Sequence, residues 1–140
     1  MIVEADGGPL GVVVAGANVH DTKLLRATID SMVAERPDPR AHKQRLCLDK
    51  GYDNPTGHTA TRERHYTSHI RRIGEEKFDS RKRKRHPARR WVVERTFAWL
   101  SKWRGILVRS AKKSSNYLAS IQLACILIWY RRLWRLDVLR

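Results

Sequence analysis

The sequence lacks an apolar run long enough to cross a membrane. The longest such run, Leu123 to Tyr130, falls far short of the ~20 apolar residues that a membrane-spanning helix needs. We also expect no secretory leader, because the acidic residues Glu4 and Asp6 interrupt the opening of the chain. We therefore expect a cytoplasmic protein without a membrane partner.

Cysteine is scarce, and glycine-rich phosphate loops are missing. The chain has 2 cysteines, Cys47 and Cys125, and neither has another Cys or a His at the spacing of metal ligands. This pattern favours two buried free thiols in a reducing cytoplasm. Gly7 and Gly8 lead into a proline and a strand instead of a helix, so they do not form a phosphate-binding loop. No Ser or Cys lies in a nucleophile elbow.

Acidic residues are few in comparison with basic ones. The 14 Asp and Glu residues are outnumbered by 29 Lys and Arg, so the 140-residue chain has a formal net charge of +15. Such a charge favours DNA, RNA or an anionic membrane surface as a partner. The length is enough for one compact domain with a modest core.

The hydrophobic pattern predicts an α/β chain with two helices at its C-terminal end. Asp6 is expected in the turn of a hairpin, Asp21 or Thr22 at a helix cap, and Gly105 at the end of the first long helix. We expect a single domain, 1–140, with a hairpin, helix and strand region at 1–73, a basic loop at 74–87 and helices at 88–140. Within it the predicted elements are strands 2–5 and 10–15, helix 21–34, strand 46–48, helix 56–64, strand 66–73, and helices 88–104 and 116–136.

Asp49 is the first candidate for a functional carboxylate. It follows the short apolar run Leu46 to Leu48, which is typical of a buried strand in an α/β sheet. Ligands and catalytic groups gather at the carboxyl ends of such strands. Asp49 is therefore a candidate metal ligand, although the following Lys, Gly and Tyr also fit a simple turn. Asp53 fits an Asx turn or a helix cap.

Glu94 is the second candidate, because it stands almost alone among bases and aromatics. A carboxylate within a surface that binds phosphates repels them unless a divalent metal ion bridges the two groups. Glu94 shares a helix face with Arg90 and Trp91, which predicts partial burial. The alternative is a plain ion pair between Glu94 and Arg90, four residues apart on one helix.

Basic residues surround the two acids and are candidates for phosphate contacts. A dense basic run at 81–85 is repelled by the rest of this basic chain unless an anion is present. Such contacts position a protein on DNA without reading its sequence. The candidates for DNA contact are Arg81, Lys82, Arg83, Lys84, Arg85, Arg90, Arg95, Lys102 and Arg104.

Three segments together resemble one protein family. They are 8–21, which contains Asn-Val-His-Asp, 48–53, which contains Leu-Asp-Lys-Gly-Tyr-Asp, and 89–104, which contains Arg-Arg-Trp-Val-Val-Glu-Arg-Thr. Their order and spacing resemble the prokaryotic insertion-sequence transposases of the IS-five group, within the IS-four/five superfamily. The resemblance covers nearly the whole chain.

The resemblance implies a fold, a reaction and a set of site residues. It implies an RNase H-like α/β fold and metal-dependent DNA cleavage and strand transfer by an Asp-Asp-Glu enzyme. Asp49 corresponds to the family's second catalytic carboxylate, Glu94 to the third and Arg90 to a motif arginine. In the complete enzyme these carboxylates hold two Mg²⁺ or Mn²⁺ ions. The implied partners are transposon ends and target DNA at the nucleoid, together with further copies in a homo-oligomer.

The chain also departs from the family pattern. Pro87 stands where the family has a tyrosine, and Ser101 stands where it has a lysine, with Lys102 next to it. The family's first aspartate lies on a strand upstream of the hairpin, and Asp6 in the hairpin turn does not replace it. We therefore expect a partial catalytic domain, either the downstream half of a frameshifted pair or a decayed copy.

Three classes of function remain open on the sequence. The first is an insertion-sequence transposase segment that binds DNA and cleaves it poorly alone, because two of three carboxylates hold the metal ions weakly. The second is a non-catalytic basic protein that packages nucleic acid. The third is an unstable structural remnant, since a missing strand exposes a sheet edge. Metal dependence of DNA binding distinguishes the first class from the second.

Overall fold

The computed structural model describes residues 1–70 and 90–138, except for the side chain of Arg90. These residues form a mixed α/β arrangement. A short 3₁₀ turn, Lys50–Tyr52, follows the third strand. In chain order the strands and helices are β1 (Ile2–Val3), β2 (Pro9–Gly11), α1 (Asp21–Asp30), β3 (Gln44–Leu48), α2 (Pro55–Glu63), β4 (Tyr66–Ile70), α3 (Arg90–Leu100), α4 (Arg104–Leu107) and α5 (Ser114–Arg135).

The predicted hairpin is present. Strands β1 and β2 pair antiparallel, and Asp6 lies in the turn between them, as expected. The Glu4 carboxylate accepts hydrogen bonds from the backbone N–H groups of Asp6 (3.2 Å) and Gly8 (3.1 Å), which closes the turn. Gly7 has a φ of 92°, a conformation that residues with a side chain rarely adopt. The strands are shorter than predicted, because Val12 and Val14 leave the ladder and pack near α5.

Strands β3 and β4 pair parallel, in register from Gln44 opposite Tyr66 to Leu48 opposite Ile70. Helix α2 connects them, as parallel strands require a crossover. Leu46 and Leu48 are half-buried, whereas the residues that alternate with them are exposed, which is the period of a strand with one covered face. The predicted strand–helix–strand succession is therefore confirmed.

Helix α1 covers this parallel unit together with α2. Leu25 and Ile29 on α1, Ala60 on α2 and Ile2 on β1 form one buried cluster. At the surface, Arg64 pairs with Asp30 and holds the pKa of that carboxyl below its usual range, mainly through a side-chain hydrogen bond. The two helices are thus joined by buried apolar side chains in their interface and by the Arg64–Asp30 ion pair at the surface.

The cap of α1 and its end differ from prediction. His20 is the N-cap, with its ring Nδ1 accepting from the Thr22 backbone N–H (3.3 Å), where Asp21 or Thr22 was expected. The helix stops at Asp30 instead of residue 34. A Cβ on Gly11 would lie 2.6 Å from the Ser31 side chain, so strand β2 presses closely on the C-terminal end of the helix. This contact with β2 lies at the point where α1 ends, earlier than predicted.

Helices α3 and α5 form a second core. Val92, Thr96 and Leu100 are buried on one face of α3, at steps of four residues. Leu100 joins Ile121 and Ala124 of α5 in a buried cluster. Helix α3 ends at Leu100, and a turn leads into the short α4. The prediction of a helix up to residue 104 that ends at Gly105 was therefore wrong, because Gly105 lies inside α4.

The hairpin connects the two cores. Ile2 belongs to the first cluster, whereas Met1 and Val12 pack against the second. The strands form two separate two-stranded sheets, and within the described residues β3 pairs with β4 alone. The fully buried strand that was expected before Asp49 is therefore, within this part of the chain, a strand with one covered face and one exposed face.

Candidate functional site

Asp49 lies directly after the last residue of β3, at the carboxyl end of the parallel pair, as predicted. Its side chain is exposed, and one carboxylate oxygen accepts a hydrogen bond from the Lys50 backbone N–H (2.7 Å). Asp49 thereby caps the 3₁₀ turn Lys50–Tyr52. The turn interpretation and the site interpretation are thus compatible, because the cap fixes the direction of an accessible carboxylate.

The segment after Asp49 is held by several contacts. Asn54 donates from Nδ2 to the Gly51 carbonyl (2.8 Å) and accepts at Oδ1 from the Gly57 N–H (2.9 Å), so it caps α2. Asp53 was predicted as an Asx-turn or cap residue. It is the C-cap of the 3₁₀ turn, and its Oδ1 also lies 2.9 Å from His58 Nε2. The loop that carries Asp49 is therefore tied to the first turn of α2.

A second acid, Asp21, acts on the same region through the phenol of Tyr52. Burial raises the pKa of the Tyr52 phenol, and the negative charges of Asp21 and Asp49 raise it further. Both carboxylates therefore act on one phenol, which itself packs against the first core. Asp21 was expected only as a possible helix cap. Its proximity to Tyr52 depends on packing between α1 and the loop, and no local sequence signal predicts such a contact.

Glu94 lies on α3 and is exposed, as is the neighbouring Trp91 with 55% of its surface accessible. The partial burial expected for this face was wrong, because α3 turns the adjacent stripe of Val92 and Thr96 inward. The Thr96 hydroxyl donates to the Gly7 carbonyl (2.8 Å) and contacts the Val92 carbonyl (3.1 Å). Glu94 is therefore carried by a helix anchored on the hairpin turn.

The two predicted carboxylates belong to different cores. Asp49 caps the 3₁₀ turn that contacts α2, whereas Glu94 lies on a helix that packs on β1 and α5. Across residues 1–70 and 90–138, no three or more His, Cys, Asp or Glu side chains lie close enough together to hold a metal ion. The described residues therefore do not bring Asp49 and Glu94 into a cluster of three or more such side chains.

The predicted DNA contacts are only partly within the described residues. The run Arg81, Lys82, Arg83, Lys84 and Arg85 lies outside them, as does the side chain of Arg90. Lys102 and Arg104 are exposed. Arg95 is half-buried: its guanidinium lies over the rings of Trp91 (4.7 Å) and Trp99 (5.0 Å) and donates to the Asp6 carbonyl. In this conformation Arg95 fastens α3 to the hairpin.

The prediction of two buried thiols was wrong for Cys47. Its side chain is exposed, because it lies on the outer face of β3 between the inward Leu46 and Leu48. Its sulfur lies 3.6 Å from Nδ1 of His69 on the neighbouring strand. Cys125 is half-buried in α5, and burial raises the pKa of its thiol. Both thiols are free, as expected.

Comparison with known proteins points to one family. The model of the transposase DDE domain matches residues 1–129. The chain is also 31% identical over 144 residues to a proposed transposase for insertion sequence element IS402 from Burkholderia cepacia. That alignment covers 98% of this chain and 64% of the relative. No solved structure matches the chain. Among the described residues, no helix is long and apolar enough to span a membrane.

Proposed function

Since the chain belongs to the family of proteins with a transposase DDE domain, we propose that it carries part of the site with which an insertion-sequence transposase cuts and joins DNA. The finer assignment is to the IS-five group, with an RNase H-like fold in the complete protein. The chain spans 64% of the length of the curated relative that it matches. The reaction is therefore proposed for the complete assembly, with DNA binding as the property of this chain.

The observation that carries the proposal is the position of Asp49. Catalytic and ligand-binding groups concentrate beyond the carboxyl ends of parallel strands, and Asp49 is the first residue after β3. It is exposed on a capped turn, so DNA can reach it without unfolding the loop. The DDE family is named for its acidic residues, and membership of this family supports a role for Asp49 in the reaction.

We propose Asp49 and Glu94 as ligands for Mg²⁺ or Mn²⁺. Carboxylate oxygens are the hard ligands that these ions prefer, so the donor type fits. A pair of such ions, when bound, activates an attacking hydroxyl group and neutralises charge on the phosphodiester. Without a cation, both carboxylates repel the DNA backbone. The two side chains therefore bind the nucleic acid only through a bridging ion.

Basic side chains provide most of the proposed affinity for DNA. Lys102 and Arg104 are exposed just beyond the helix that carries Glu94, and a chain of +15 attracts the backbone over long distances. Arg90 and the basic run 81–85 are proposed to add contacts from the same region of the sequence. These contacts position the backbone, and they do not select a base sequence.

We propose that another carboxylate reaches the site from outside this chain. Two carboxylates are few for Mg²⁺, which prefers several anchoring oxygens in near-octahedral geometry. The relative is longer than this chain, so an additional segment of such a protein can supply the group. An upstream half made by frameshifting, or further copies in an oligomer, are the proposed sources. The chain alone then binds DNA and cleaves it little.

The test is DNA binding with Mg²⁺ or with EDTA, measured by fluorescence anisotropy on the purified chain. We expect Mg²⁺ to strengthen binding severalfold in the wild type, and Asp49→Asn and Glu94→Gln to abolish this gain. Asp53→Asn is the matched control in the same loop and should keep it. Equal binding in Mg²⁺ and EDTA, unchanged by Asp49→Asn, would identify a non-catalytic nucleic-acid-binding protein instead.

Plasmid nicking is a second readout on the same variants. We expect little nicking by the chain alone with Mg²⁺ or Mn²⁺, because the site is incomplete. Strong nicking that disappears in Glu94→Gln would overturn the requirement for an external carboxylate while supporting the two assigned residues.

A further inference from the structure

We propose that the groove between α1 and α2 is a binding site for DNA backbone phosphates beside Asp49. This inference rests on the proposed function and adds a location for the substrate. The groove has a volume of about 510 Å³ and is open to solvent. Its walls are the first two turns of α1 and the N-terminal turns of α2, and the buried Ala60 lies at its base.

The side chains that line the groove suit a phosphate. Lys23 and Arg26 contribute two cations, and Thr22, Thr56 and Thr59 contribute hydroxyl donors. No carboxylate is among the lining residues. The N-terminal end of α2 adds partial positive charge, which favours an anion at this position. The groove thus combines charge and hydrogen-bond donors, which is the chemistry that binds a phosphodiester.

One acid beside the groove, Glu63, is engaged in an ion pair. Its carboxylate accepts a hydrogen bond from Nη2 of the groove residue Arg26. A guanidinium group has five N–H donors, so one pair with a carboxylate leaves capacity for a phosphate oxygen. Arg26 is therefore held in place by Glu63, whereas the exposed Lys23 supplies the adaptable charge.

The groove opens next to the Asp49 turn. Helix α2 begins directly after the loop that Asp49 starts, and Thr22 on the groove wall follows Asp21. Asp21 directly precedes the groove residue Thr22, and the turn that Asp49 caps contacts α2, so both acids lie at the same end of the α1–α2 layer as the groove. A DNA strand held by Lys23 and Arg26 consequently has a neighbouring phosphate near Asp49.

A pair of charge reversals tests the groove. Lys23→Glu should weaken binding to a labelled DNA duplex by roughly tenfold and lower the salt slope by about 1, because one phosphate contact is lost. Lys43→Glu makes the same charge change at an exposed residue in the loop before β3, outside the groove. It should weaken binding by less than about threefold, since only the screened long-range field changes. Both variants are compared in EDTA, so that metal plays no part.

A pair of charge additions guards against effects of misfolding, because a folding defect does not explain a gain of affinity at one added lysine that is larger than the gain at the other. Thr59→Lys in the groove should strengthen binding, and Thr67→Lys on the exposed face of β4 should do so less.

If both members of each pair behave alike while the wild type binds DNA, the groove is not the site. If the wild type does not bind DNA at all, the proposed function fails together with it. Binding that is intact and specifically groove-dependent, without any effect of Asp49→Asn in Mg²⁺, would retain the groove and reject the metal role.

Discussion

Single residues connect the two cores of this protein through the hairpin, and Thr96 is the clearest case. Its side chain has 0% accessible surface, and its hydroxyl lies 2.8 Å from the Gly7 carbonyl of the hairpin turn. Gly7 in turn leaves no room for a side chain, since a Cβ there would lie 3.0 Å from Arg95 and 3.1 Å from Thr96. Helix α3, and Glu94 with it, is therefore positioned by a close contact of small groups.

Replacing Thr96 with valine tests this contact. Thr96→Val keeps the shape and removes the donor, which leaves a carbonyl without this partner in a buried place. The expected loss of unfolding free energy is about 1–2 kcal/mol, measured by urea denaturation. Thr67→Val on the exposed face of β4 should change stability by less than about 0.5 kcal/mol. Equal stabilities of wild type and Thr96→Val would show that the hydroxyl does not hold the helix.

At the scale of elements, local signals were sufficient to locate most helices and strands. Asn54 followed by proline marked the start of α2, and the apolar run before Asp49 marked β3. The ends were less predictable, because α1 stops where β2 presses on Ser31. Such contacts join residues far apart in sequence, and hydrophobic periodicity does not report them.

The junction between the Asp49 turn and α2 offers a matched pair of glycines. A Cβ on Gly57 would lie 2.3 Å from the Tyr52 backbone carbonyl, whereas a Cβ on Gly51 would have no heavy atom within 4 Å. Gly57→Ala should therefore push α2 away from the turn and cost about 1–3 kcal/mol of unfolding free energy. Gly51→Ala should cost about 0.5 kcal/mol at most. Chemical denaturation of both variants measures the difference, and equal effects would contradict this packing.

For the whole molecule, the sequence predicted the family better than it predicted the arrangement of the candidate site. The charge of +15 and the α/β pattern follow directly from the amino-acid sequence. The resemblance to insertion-sequence transposases agrees with the matched DDE domain. The division into two cores joined by the hairpin was not predicted, because it depends on which face of each helix finds a neighbour. The exposure of Glu94 and the proximity of Asp21 to Tyr52 were missed for the same reason.

We propose that Asp49 and Glu94 share a divalent cation when DNA is bound. Iron-directed cleavage of the protein measures this most directly: Fe²⁺ replaces Mg²⁺, and ascorbate with peroxide generates radicals that cut the backbone near the bound ion. Cuts are expected near both positions on the DNA-bound chain, and they should be lost in Asp49→Asn and kept in Asp53→Asn. Cuts at only one of the two positions, or a pattern that Asp49→Asn leaves unchanged, would contradict it.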